Sequence, residues 1–200
     1  MKEIFIYGAS GHGLVVADIA KACGYDKIIF IDDGKRDYKN FEEIKEQTHI
    51  PIALGIGDNW IRERIFNKLQ SFGFSMPVLI HPSSIISSSC VIEEGSVVMP
   101  NVVLNARAHI GKGAILNTGS IVEHECCIED FVHISPNVAL AGNVSIGRLT
   151  HVGIATCVIQ GMSIGEKSLI GAGSVVVSSL PSHKVCFGNP CKVVRGLFDE

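Results

Sequence analysis

The chain has 200 residues and a mass of 21.5 kDa, room for one large domain or two small ones at roughly 100–200 residues per domain. Hydrophobic residues reach 46 % and mean hydropathy is +0.33, yet aromatics are 6 % and charged residues 18 %, so the core is aliphatic and disorder is excluded. A net charge of −3 argues against a nucleic-acid binder, and the absence of an apolar run of about 18 residues argues against a membrane span.

The Met-Lys-Glu start lacks the long apolar stretch of an export signal, so a soluble, cytoplasmic protein is expected. Seven cysteines, an odd number with no CxxC pair, are then reduced thiols that pack as small hydrophobes.

In chain order, Ile4-Phe5-Ile6-Tyr7 reads as a buried strand, followed by Gly8-Ala9-Ser10-Gly11-His12-Gly13. Leu14, Val15, Asp18, Ile19 and Ala22 lay a mostly apolar stripe along a helix ending at Gly24. Ile28–Ile31 is a second strand closing on Asp32-Asp33-Gly34, and Ile50–Leu54 a third leading into Gly55-Ile56-Gly57. From Asp58, as N-cap, to about Phe72 runs a charged helix with Trp60, Ile61, Ile65 and Leu69 as its apolar positions. Alternating strands and helices predict a Rossmann-like α/β unit over residues 1–80.

The glycine loop lies between a strand and a helix, where backbone N–H groups and the helix dipole favour a phosphate, although a plain tight turn uses the same residues. Asp32 stands where a Rossmann acid meets a ribose, but the glycine order is GxxGxG, not GxGxxG. Gly55, Gly57 and Asn59 fall at the same sheet edge and complete the candidate pocket.

After His81-Pro82-Ser83-Ser84 the periodicity changes. An aliphatic residue recurs at every sixth position from Ile86 to Val176, sixteen times without a miss. Small residues follow four places on, at Ser96, Ala108, Ala114, Ser120, Thr150, Ser168 and Ser174. This is the pattern of a hexapeptide parallel β-helix, three hexads to a coil of 18 residues, here expected over residues 81–200 and left-handed. The aliphatic residue points inward, where a narrow prism admits no rings, and the small residues ease the corners. The same spacing places Gly142 over His124 at one corner, stacks His133 under His151, and sends His109 to another face.

Tyr7-Gly8-Ala9-Ser10-Gly11-His12-Gly13, Phe30-Ile31-Asp32-Asp33, and Leu116-Asn117-Thr118 through Val122-Glu123-His124-Glu125-Cys126 together carry a resemblance over nearly all of residues 1–195. The chain resembles the nucleotide-sugar acetyltransferases that join a small Rossmann-like domain to a left-handed β-helix, which include UDP-4-amino-sugar N-acetyltransferases and sialic-acid O-acetyltransferases. The His-Glu-Cys segment with the Asp-Asp pair points toward the first group. The resemblance implies acetyl-CoA as co-substrate, no metal, a homotrimer with coenzyme grooves between neighbouring helices, and a UDP-sugar held by Gly8, Ser10, Gly11, His12, Gly13, Asp32 and Asp33. It also implies Asn117 near the acetyl acceptor and His133 lining the substrate cleft. Gly142 and Ala172 are expected on the coenzyme, and Lys192 and Arg195 are placed to meet its phosphates or are simply solvated tail residues. Phe187-Gly188-Asn189-Pro190-Cys191-Lys192 looks like the family's coenzyme-side tail.

His124 is the candidate base, since an amine attacking a thioester sheds a proton that imidazole takes near neutral pH. Glu125 orients it if the chain turns there, because neighbours on a straight strand face opposite ways; Glu123 is the fallback. Gly142 leaves room for the acetyl group and offers its N–H to the thioester oxygen, or merely eases a corner. Cys126 and Cys127 are read as packing residues, so no acyl-enzyme is required. The expected function is N-acetylation of a UDP-4-amino-4,6-dideoxy-sugar. O-acetylation of a sialic acid is the alternative, and a non-enzymatic β-helix scaffold the alternative of another class.

Overall fold

The structure, a computed structural model, describes residues 2–198. Strands β1 (Glu3–Tyr7), β2 (Lys27–Ile31) and β3 (Ile52–Leu54) form a parallel sheet in the order β2-β1-β3, with helices α1 (Gly11–Ala22) and α2 (Asn59–Ser71). Because the order reverses after β2, a crevice opens at the carboxyl ends of the strands. β3 starts two residues later than Ile50.

Both helices bury a different stripe from the one expected. In α1, Val16, Ala17, Ile19 and Ala20 are buried while Leu14 and Val15 are exposed. In α2 the buried residues are Asn59, Arg62, Phe66 and Leu69, and Trp60 and Ile61 face outward. Phe66 and Leu69 join the apolar cluster that includes Phe5 and Leu54 of the sheet, while the buried polar pair, Asn59 and Arg62, meets solenoid corners rich in backbone carbonyls.

The solenoid is built of seventeen two-residue strands at six-residue spacing, from β4 (Leu79–Ile80) to β20 (Val175–Val176). From β4 to β17 each pairs in parallel with the strand 18 residues on, which makes three faces. The docked face starts at β4 and carries Leu79, Val97, Ile115, His133, His151 and Leu169 as its outward row. The open face carries Ile85, Val103, Ile121, Ala139, Cys157 and Val175. The polar face carries Val91, His109, Cys127, Ser145 and Ser163. The second residue of each strand points in, from Val98 through Val176 fully buried, and each contributes about 1.5–3 kcal/mol of transfer free energy. A hairpin of β21 (Lys184–Phe187) and β22 (Lys192–Gly196) extends the docked face.

The corners turn at a position the small residues do not mark. Three residues after the inward residues from Ile92 to Ile170 the backbone is left-handed, with φ near +60° at Asn101, Arg107, Glu125, Phe131, Asn137, Asn143, Leu149 and others. The small residues one place further on are buried and fill the inside of each bend, as Ser96 Oγ does by donating to the Gly111 carbonyl.

The α/β unit sits on this scaffold by two contacts. α1 packs on Leu79, Val97 and Ile115 of the docked face. α2 lies along the corners between the polar and docked faces, where Phe66 meets Phe131 edge-on at 5.2 Å and Leu149 joins the same cluster. Arg148 pairs with Glu63. No helix among the described residues is long and apolar enough to cross a membrane.

Candidate active site

One cavity, about 430 Å³, opens at the carboxyl edge of the three-stranded sheet. Gly8, Ser10, Asp32, Asp33, Gly55 and Gly57 line it together with Tyr7, Gly34, Ile56, Asp58, Ile61, Arg64 and Ile65, whereas Gly11, His12 and Gly13 of the glycine loop do not. The glycines do more packing than cradling. A Cβ on Gly13 would fall 2.0 Å from the Gly8 carbonyl oxygen, and one on Gly55 would fall 2.7 Å from the Gly13 Cα. Gly8 adds a positive φ of 108°. These contacts bring the loop onto β3 and leave Gly11 and His12 at the head of α1, where Ser10 makes no side-chain cap. The first-turn N–H groups therefore remain available to an anion.

Both aspartates are engaged within the protein. Asp32 accepts from the Ala9 and Gly34 amides, and Asp33 accepts from the Phe41 amide and, at 2.5 Å, from the Tyr7 hydroxyl. Burial and the Asp33 carboxylate push the Tyr7 phenol well above its usual range. Arg64, exposed at the rim, is the arginine of this lining, and a lone arginine on a charged helix carries no periodic signal by which to find it.

Asn59 does not line the cavity. Its side chain donates to the Leu149 carbonyl and accepts from Arg62. Arg62, 1 % exposed, donates to the carbonyls of Ile56 and Gly57 in the cavity wall and to those of Gly113 and Phe131 in two solenoid corners. Burial lowers its pKa to about 9, so it stays a cation at neutral pH. It joins the nucleotide-type cavity rigidly to the coil.

Beyond the end of α1 the docked face changes from apolar to imidazole. His133 and His151 stack with ring centroids 4.5 Å apart and 16° between planes, and His12 stands 6.3 Å from His133. Asn117 meets His133 Nε2 at 3.1 Å, and Ser135 Oγ meets His151 Nε2 at 2.9 Å. Burial, then the neighbouring His151 and Arg62, lower His133 to about 2. Burial, then Arg62, lower His12 to about 4 and also lower His151. All three rings are neutral at pH 7, and His12 Nε2 has no hydrogen-bond partner among the described residues. His133 Nδ1 faces the Gly57 backbone without a hydrogen bond of good geometry. Among the described residues no three His, Cys, Asp or Glu side chains, these histidines included, are arranged so that they could hold a metal ion.

A second cavity, about 520 Å³, lies at a corner between the open and polar faces and is lined by His124, Gly142, Asn143, Gln160 and Gly161. Glu125 has φ 61°, so the chain does turn there, and its Oε2 lies 3.1 Å from His124 Nδ1. Its Oε1 accepts from Arg107 at 2.7 Å. A Cβ at Gly142 would sit 2.5 Å from His124 Nε2. Asn143, Gln160 and Gly161 follow from the 18-residue spacing and could have been read from it. Cys126 donates to the Ala141 carbonyl, and burial raises the thiols of Cys126 and Cys127, which are poor nucleophiles as a result.

Within one chain the two cavities share no residue. Asn117 sits at the corner between the docked and open faces, His124 at the next corner, and the open face lies between them. Ala172 is at Asn117's corner column, and Lys192 and Arg195 are on β22, so none of the three lines the His124 groove of its own chain.

A nucleotide-type crevice joined to a hexad solenoid with a histidine–carboxylate corner defines the class of hexapeptide-repeat acyltransferases. Residues 3–69 match the model of the PglD N-terminal domain. The acetyltransferase domain of PglB from Neisseria gonorrhoeae superposes with a TM-score of 0.91 at 36 % identity, covering 97 % of this chain and 100 % of that one. PerB from Caulobacter crescentus, solved with CoA and GDP-perosamine, gives 0.92 at 35 % identity, covering 96 % and 97 %. The UDP-N-acetylbacillosamine N-acetyltransferase of Bacillus subtilis is 35 % identical over 50 % of this chain and 52 % of its own length. Curated relatives from Staphylococcus aureus match at 49–50 % identity over 28 % of their length. The chain belongs to the sugar N-acetyltransferases of the hexapeptide β-helix superfamily.

Proposed function

We propose that the chain is an acetyl-CoA-dependent N-acetyltransferase acting on the 4-amino group of a UDP-4-amino-4,6-dideoxy-sugar. The observation that carries this reading is the corner at which Glu125 engages His124 Nδ1 while Gly142 opens the space over Nε2. With the proton on Nδ1 donated to Glu125, Nε2 keeps a lone pair. The sugar amine attacks the thioester carbonyl and its proton passes to Nε2. The tetrahedral oxyanion accepts from the Gly142 N–H, collapses, and expels the CoA sulfur, which takes the proton from the imidazolium. The products are the N-acetyl sugar and CoA.

The first cavity takes the nucleotide, with its diphosphate at the head of α1 beside Arg64 and its sugar toward His12, Asn117 and His133. Neutral rings suit hydrogen bonds to the hydroxyl groups of a sugar. The sugar subsite and His124 lie on opposite edges of the open face, whose outward row of Ile85 (68 % exposed), Val103, Ile121 and Val175 is apolar. Copies associating as a homotrimer through this face bring one chain's Asn117 and Ala172 corner beside the His124 corner of the next. Seven free cysteines fit a reducing cytoplasm.

The test is CoA-thiol release from acetyl-CoA across UDP- and GDP-linked 4-amino sugars and free sialic acids. Turnover with the UDP-amino sugar supports the proposal. Preference for the GDP sugar reassigns the nucleotide, turnover only with sialic acid favours O-acetylation, and no turnover with no calorimetric binding of CoA or UDP favours a scaffold.

A further inference from the structure

We infer that Arg107 is a positioning residue for the acetyl-transfer corner, its guanidinium holding the Glu125 carboxylate in the orientation that serves His124. The inference rests on the reading of His124 as the base. Arg107 lies one coil, 18 residues, before Glu125 in the same column of corners, and both are left-handed, with φ of 60° and 61°. This shared, unusual backbone sends two long side chains outward from stacked corners, where they meet. The division of the carboxylate is clean: Oε1 accepts from Arg107 Nη2 at 2.7 Å and Oε2 faces His124 Nδ1 at 3.1 Å.

The backbone beneath is fixed. The Glu125 amide donates to the Ala106 carbonyl at 3.0 Å, and the Arg107 amide donates to Ser89 Oγ at 3.1 Å. The side chains are not fixed by packing, since Glu125 is 45 % exposed and Arg107 70 %. A half-exposed glutamate with a single partner rotates into water. His124 Nδ1 then loses its acceptor, and the ring populates the tautomer with hydrogen on Nε2, which cannot take a proton from the amine. A guanidinium on the second oxygen restricts that rotation. Arg107 touches none of the reacting atoms, so it acts only through Glu125.

An exposed ion pair contributes little to folding, so the fold tolerates its removal and the effect falls on kcat. Arg107→Met keeps the aliphatic stem and removes the fork. It is expected to lower kcat three- to fivefold, about 0.7–1 kcal/mol of barrier, with both KM values within twofold and an unchanged Tm. Arg107→Lys, which still reaches one oxygen, recovers at least half of the loss. In a Glu125→Gln background Arg107→Met has no further effect. The ¹⁵N shifts of the His124 ring give a readout independent of turnover and move toward the Nε2–H tautomer in Arg107→Met. Unchanged ring shifts, or an equal fall in kcat in the Glu125→Gln background, overturn the inference. A tautomer change in an enzyme whose His124→Ala variant turns over normally supports the positioning role and overturns the base reading instead.

Discussion

Replacing Gly142 by alanine adds one methyl group where the coil leaves none to spare. The Gly142 backbone is not left-handed, so alanine meets no strain of its own there. The new Cβ falls 2.5 Å from His124 Nε2 and 2.6 Å from Cε1, whereas ordinary contact begins at 3.4 Å, so the ring must retreat by about 0.9 Å. The His124 side chain is 58 % exposed and can do so without disturbing the core. The retreat breaks the geometry with Glu125 and places a methyl where the acetyl oxygen belongs. A misplacement of about 1 Å costs on the order of 10²-fold in rate. We therefore expect kcat to fall about 10²-fold in the thiol-release assay, with a thermal midpoint within about 2 °C of wild type. In a His124→Ala background the methyl has no ring to displace, and a much smaller further loss is expected. A Gly142→Ala enzyme within twofold of wild-type kcat would refute the stacked geometry as the source of catalysis.

Three other outcomes follow from the structure. Arg62→Met leaves the buried carbonyls of Gly57, Gly113 and Phe131 without their donor and should cost about 3 kcal/mol or more in urea unfolding, a loss under about 1 kcal/mol contradicting the clamp. His133 and His12 titrate at about 2 and about 4 in the folded chain against about 6.5 unfolded, so below pH 6.5 the unfolded chain binds protons the folded one refuses. Stability is then full above that pH and declines toward pH 4, less steeply in His133→Leu; equal slopes would contradict the buried neutral stack. Arg64→Ala should raise the calorimetric Kd for UDP about tenfold and leave CoA binding unchanged, and an unaltered UDP Kd would place the diphosphate elsewhere.

The solenoid was legible because its core imposes a one-dimensional rule: one residue in six enters a prism too narrow for rings, and nothing else in the chain competes with that spacing. The corner pairings of His124 with Gly142 and His133 with His151 came with it, since a fixed rise turns sequence distance into stacking. The left-handed corners were only partly legible. Gly or Asn marks some of them, such as Gly113 and Asn137, but Glu125, Phe131, Leu149 and Lys167 occupy others, held by coils above and below, so composition marks the bend only in part. Arg62 was hidden for a related reason. A charged residue within Arg62-Glu63-Arg64 reads as a solvated face, and only the carbonyl-lined corner beneath α2 makes burial of that side chain favourable. The separation of the nucleotide cavity from His124 is likewise a property of which corner each residue reaches, not of any local motif.

The central claim is that the His124 corner performs the acetyl transfer. Its most direct test is kcat of His124→Ala at saturating acetyl-CoA and UDP-4-amino sugar, with binding of both substrates checked by calorimetry. The account predicts a loss of about 10²–10⁴-fold with both substrates still bound. A variant that binds both and turns over at the wild-type rate would contradict it.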